Sequence, residues 1–137
     1  MIQIYFLSIL TNLLSGLILS AEHYSERFPT FSAVKDFFKG KPGMRVTIGV
    51  ITFLTGFVNL LSVTKGDVPV VGDLFPSISA LILGVGVLFD RYKEKATVPS
   101  KALETADKLI LRHKSIYGSI AMIIAVLHFL MPRVILL

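Results

Sequence analysis

Two short runs hold most of the side chains that could do chemistry: Glu22, Tyr24 and Glu26, and later Asp90, Tyr92 and Glu94. In each run two carboxyls stand four residues apart, so on a helix both acids share one face. Such a pair could clamp a cation, dock another subunit, or pair with basic side chains, for which Arg27, Lys95 and the basic faces of nearby amphipathic stretches are available. At the end of a helix the backbone dipole disfavours negative charge, so something positive should compensate, with Tyr24 and Tyr92 as interfacial anchors. A second pool is polar residues set in apolar surroundings, namely Asn12, Asn59 and His128. There an amide or imidazole either bonds across to a neighbouring helix or lines a substrate or proton path. His128 is the better path candidate, because Asn59 falls in the outer third of its segment.

Other chemistries lack their residues. The chain has no cysteine, so no disulfide, thiolate metal site or cysteine nucleophile is available. No P-loop, G-x-S-x-G, H-E-x-x-H or dinucleotide fingerprint is present. His23 and His113 fall at similar depth, as bis-His haem ligation would need. However, Arg112, His113 and Lys114 read as a solvated run, and no second facing pair supports a haem. The expectation is a protein that is not an enzyme, with no cofactor and no metal.

The elements that must position these residues follow from hydropathy. With 53% hydrophobic residues and a mean hydropathy of +0.74 over 137 residues, the chain is too apolar for an ordinary soluble domain. A membrane core requires about 20 apolar residues in helical form. Four stretches qualify: residues 2 to about 21, 46–63, 73–89 and 115–131. Asp73 is a plausible N-cap for the third, and Pro132 should stop or kink the fourth, leaving Arg133 and an apolar tail. The first stretch lacks a basic start and a convincing A-x-A cleavage site, so it is expected to stay in the mature protein as a span.

Of fourteen Lys and Arg, five lie in residues 22–45 and seven in residues 90–114, leaving only Lys65 and Arg133 elsewhere. The positive-inside rule then places both long connections in the cytoplasm and both termini outside, in a multi-pass protein of the cell (cytoplasmic or inner) membrane. The basic pI of about 9.6 reflects topology and contact with anionic lipids of the bilayer, and does not argue for nucleic acid. Each connection carries an amphipathic helix. In the first, Thr30 or Ser32 caps a helix that groups Phe31, Val34, Phe37 and Phe38 and is ended by Gly40 and Pro42-Gly43. In the second, Pro99-Ser100 starts a helix that groups Ala102, Leu103, Ala106, Leu109, Ile110 and His113 and has no breaker between it and the fourth span.

An internal repeat organises these parts. Gly16, Glu22, Tyr24, Glu26 and Arg27 align at an offset of 68 with Gly84, Asp90, Tyr92, Glu94 and Lys95. One residue later the offset becomes 69, and Arg45 meets Lys114, Gly49 meets Gly118, and Asn59 meets His128. The charged motif carries this reading, since apolar helices resemble one another by chance; coincidence between two snorkelling helix ends is the alternative. The expected fold is an all-α integral membrane protein: one membrane domain, 1–137, of two tandem helical hairpins, 1–68 and 69–137. Even-numbered repeats share orientation, as in parallel-repeat transporters.

Gly49, Thr52, Gly56 and Asn59 share a face of the second span, and Gly118, Ala121, Ala125 and His128 share one of the fourth. Gly16 and Gly84 supply small residues on the other two spans. In lipid such faces mark helix packing. The expected role is an assembly or accessory subunit of a membrane complex, joined to other subunits or to itself. The alternative is a small oligomeric transporter or channel with a path near Asn59 and His128.

Overall fold

The structure, a computed structural model, describes residues 2–61, 74–98 and 100–131. These residues are 90% helical, with no strand among them. The elements are α1 (Ile2–Tyr24), α2 (Pro29–Lys39), α3 (Pro42–Leu61), α4 (Leu74–Lys95), α5 (Lys101–Leu109), a 3-10 turn (Leu111–His113) and α6 (Lys114–Leu130). Four helical stretches, built on α1, α3, α4 and α5–α6, are long and apolar enough to cross a membrane.

The helix ends depart from expectation in instructive ways. The helix α2 starts at Pro29, with Phe28 in the cap position and no side-chain cap, so neither Thr30 nor Ser32 opens it. Proline at the first position supplies a preset φ and lacks the N–H that would be orphaned there. Gly40 closes α2, but Pro42 and Gly43 open α3 and do not merely end α2. Both α1 and α4 run past the apolar stretch into their acidic motifs, to Tyr24 and Lys95. At α5 the Ser100 hydroxyl accepts a hydrogen bond from the Leu103 amide at 3.2 Å, the N-cap geometry its position suggests. That helix stops at Leu109, and the 3-10 turn separates it from α6. The sequence expectations for Asp73, Pro132, the end of the second span at 62–63 and the tail from Arg133 lie outside the described residues.

The most extensive packing joins α3 to α4 and α1 to α6, with lesser contacts of α1 on α3 and α4 and of α4 on α6. The described residues of α3 and α6 do not meet. Thus α1 and α4 occupy the centre of the bundle and α3 and α6 its flanks. The C-terminal ends of α1 and α4 come together with the N-terminal ends of α3 and α6, because Glu22, Asp90 and Glu94 bond to Arg45 and Lys114.

Glycines set the close approaches. A Cβ added to Gly16 would sit 2.7 Å from the Gly118 carbonyl oxygen and 2.8 Å from Met122 Cγ. One added to Gly84 would meet the Phe53 backbone at 2.7–2.8 Å, and one added to Gly56 the Ser77 carbonyl oxygen at 2.8 Å. Gly49 lies against Leu88 and Val87. Thr52, Ala121 and Ala125 are buried beside them on the same two faces. The small-residue faces are therefore filled by helices of this chain. Large apolar side chains point away from the bundle instead, among them Phe53, Phe57 and Leu61 on α3 and Ile116, Ile123 and Phe129 on α6.

Candidate functional site

The interior has two chemically distinct levels, separated by an apolar layer. That layer is Ile18, Leu19, Leu83, Val87 and Ala121, with Phe38 of α2 and Ile48 packed against it.

On one side of the layer lies a network of hydroxyls and amides. Asn12 Nδ2 donates to the Ser8 carbonyl at 3.0 Å and across to the Pro76 carbonyl at 3.1 Å, while its Oδ1 accepts from Ser79 at 2.8 Å. Ser15 and Thr52 hydroxyls meet at 2.7 Å, and Thr52 also donates to the Ile48 carbonyl. These bonds tie α1 to α3 and to α4. Asn59 and His128 are buried at the same end of the bundle, 5% and 1% exposed. The Tyr5 hydroxyl donates to the His128 carbonyl, and the two rings lie 4.5 Å apart.

On the other side lies a charged clasp. Arg45, at the start of α3, donates through one terminal nitrogen to Asp90 Oδ2 and through the other to Glu94 Oε1, both at 2.6 Å. Lys114, at the start of α6, bonds Glu22 Oε2 at 2.5 Å and Asp90 Oδ1 at 2.8 Å. Arg91 holds the second Glu94 oxygen at 2.8 Å. Asp90 thus receives a cation on each oxygen, and Glu94 likewise. The four-residue spacing does place Asp90 and Glu94 on one face, where they grip one guanidinium together. The first motif divides: Glu22 joins the clasp, whereas Glu26 is exposed and makes no ion pair among the described residues. Tyr24 bonds the Ser119 hydroxyl at 3.1 Å and stacks with Phe28 and Phe31, which seats the start of α2. Tyr92 is exposed.

Among the described residues Arg27 and Lys95 make no ion pair with the acids; apart from Arg91 on Glu94, the compensating cations come from Arg45 and Lys114, far along the chain. Their signal was present in the repeat, which sets Arg45 opposite Lys114 and Glu22 opposite Asp90. Three interhelical contacts recur on residues that the offsets pair. Lys114 with Glu22 corresponds to Arg45 with Asp90, Gly16 with Met122 to Gly84 with Phe53, and Gly118 with Ser20 to Gly49 with Leu88.

The clasp walls a cavity of about 340 Å³. Ile18 and Ala21 contribute an apolar floor, and α2 adds Val34, Lys35, Phe38 and Lys39. His23 and His113 are both exposed, with His23 edge-on to Tyr24 at 4.9 Å. No group of three or more His, Asp or Glu is placed to hold a metal among the described residues. Residues 1–128 match the model of a protein family of unknown function. No curated protein and no solved structure matches the chain.

Proposed function

The chain belongs, over residues 1–128, to a protein family of unknown function, and from that premise we propose that it is a non-catalytic multi-pass membrane protein acting as an accessory subunit of a membrane complex. The observation that carries this reading is the clasp. Its carboxylates are engaged by Arg45, Lys114 and Arg91 at 2.5–2.8 Å, an arrangement that ties four helices together and spends Glu22, Asp90 and Glu94 on holding the bundle. Because the glycine-lined faces are filled within the chain, partners would meet the outer apolar faces of α3 and α6, or the basic and aromatic α2 and α5. The matched contacts support descent from a duplicated two-span unit whose copies share one orientation. Purification from native membranes in mild detergent should yield a defined oligomer or a stoichiometric complex; a lone monomer would sink the proposal.

The buried polar network favours one second reading, a small oligomeric transporter. Asn12, Ser15, Thr52, Asn59 and His128 place hydrogen-bonding groups deep among apolar helices, where polar side chains often mark a pathway. The apolar layer at Leu19, Leu83 and Val87 interrupts any route from the clasp cavity to that network. Replacing Asn59 and His128 together by Leu separates the readings. Unchanged flux in proteoliposomes with altered assembly favours the accessory role, and lost flux with intact assembly favours transport.

The charge bias further supports α2 and α5 lying on the cytoplasmic side of the cell membrane, against anionic lipid, with both termini outside. The absence of cysteine makes the test direct. In intact cells an impermeant maleimide should label Gln3→Cys, while Ala33→Cys and Thr97→Cys should react only after the membrane is opened. The reverse pattern would invert the topology.

A further inference from the structure

We propose that the cavity between α2 and the clasp binds a phosphate-bearing anion. Its volume, about 340 Å³, is at the lower end of the range for small-ligand sites. Four cationic side chains line it, Lys35, Lys39, Arg45 and Lys114, against three carboxylates, Glu22, Asp90 and Glu94. Counting bonds sharpens that imbalance. Both oxygens of Asp90 and both of Glu94 are already taken by cations, and Glu22 is held by Lys114. A metal cation seeking Asp90 would have to displace Arg45 or Lys114.

The donors left over are all positive. Lys35 and Lys39 lie one helical turn apart on α2 and make no ion pair among the described residues. Arg45 is 8% exposed, and its Nε has no hydrogen-bond partner among the described residues. That N–H is closed off by protein, so the two lysines are the donors that a ligand can reach. A phosphate group offers several anionic oxygens to these two ammonium groups, which is how charge-assisted recognition of phosphate is ordinarily built. The helix α2 is suited to close over such a ligand. Phe38 holds it on the apolar layer, while its two lysines overlook the cavity.

The same chemistry would accept a free phosphate or the headgroup of an anionic phospholipid, and the experiment separates them. The full-length protein in mild detergent is titrated with inorganic phosphate by calorimetry, and its retention of phosphatidylglycerol against phosphatidylcholine is followed by native mass spectrometry. The double replacement Lys35→Gln and Lys39→Gln should weaken binding of whichever probe is taken by about tenfold or more, since two charge-assisted bonds are lost. Saturable phosphate binding lost in the double variant identifies the free anion. Selective retention of phosphatidylglycerol lost in that variant identifies the headgroup. Saturable binding of neither probe, or binding that the double variant leaves intact, overturns the proposal. A second measurement uses the unaltered protein: the bound probe should protect Lys35 and Lys39, but not Lys101, from amine acylation. Equal acylation of all three with and without probe also overturns it.

Discussion

Replacing Arg45 by Met should cost about 3–5 kcal/mol of folding stability, because it strands a buried carboxylate. The Arg45 and Asp90 side chains are only 9% and 13% exposed, so this pair behaves as a buried bridge and not as a surface one. Lys114 would remain on Asp90 Oδ1, but Oδ2 and Glu94 Oε1 would each lose their partner. Glu94 sets the contrast. Its side chain is 45% exposed and Arg91 holds its other oxygen, so Glu94→Gln should cost less than about 1 kcal/mol. Reversible unfolding in mixed micelles, followed by helix content, measures both. If Arg45→Met also neutralises the need for its partner, adding Asp90→Asn should recover part of the loss in a double-mutant cycle. Equal losses for Arg45→Met and Glu94→Gln would show that the clasp is solvated and contributes little.

The second large effect is steric. Gly84→Ala should destabilise the bundle by about 1–3 kcal/mol or more, since the new methyl would fall 2.7–2.8 Å from the N, Cα and Cβ of Phe53. Backbone cannot swing aside as a side-chain tip can, so α3 and α4 would have to separate along their most extensive contact. Gly43 is the internal control. It also lies in α3, but nothing stands within 4 Å of the space its Cβ would fill. Gly43→Ala should therefore be neutral or stabilise by up to about 1 kcal/mol through reduced freedom of the unfolded chain. The same micelle unfolding assay reads the two variants, and similar behaviour of both would refute the packing argument.

The four long apolar helices were legible because charge-free stretches of that length have few other uses. Their limits were less so. Charges at 90 and 91 looked like a boundary, yet α4 continues to Lys95 because Asp90 and Glu94 find cations across the bundle. The partners of the acids were sought among neighbours such as Arg27 and Lys95. Most lie instead 24 to 92 residues away, at Arg45 and Lys114. Local sequence carries no direct signal for such pairings; only the repeat, by setting basic starts opposite one another, pointed to them. On α1, Asn12 stood out as polar and Gly16 as small, but the hydroxyls of Ser8 and Ser15, both wholly buried, went unmarked. In a helix this apolar a lone serine reads as filler. Only its hydrogen bond, as between Ser15 and Thr52, reveals that it holds two helices together.

The packing order also bears on how the chain is made. The helix α1 takes its largest partner from α6, and Glu22 waits for Lys114, 92 residues further along the chain, to emerge from the ribosome. Contacts of such long sequence separation form late and slowly. Nascent α1 therefore stays incompletely paired until α6 has been made, and a chain cut short before Lys114 would keep an unmatched acid at Glu22 and an open groove at Gly16.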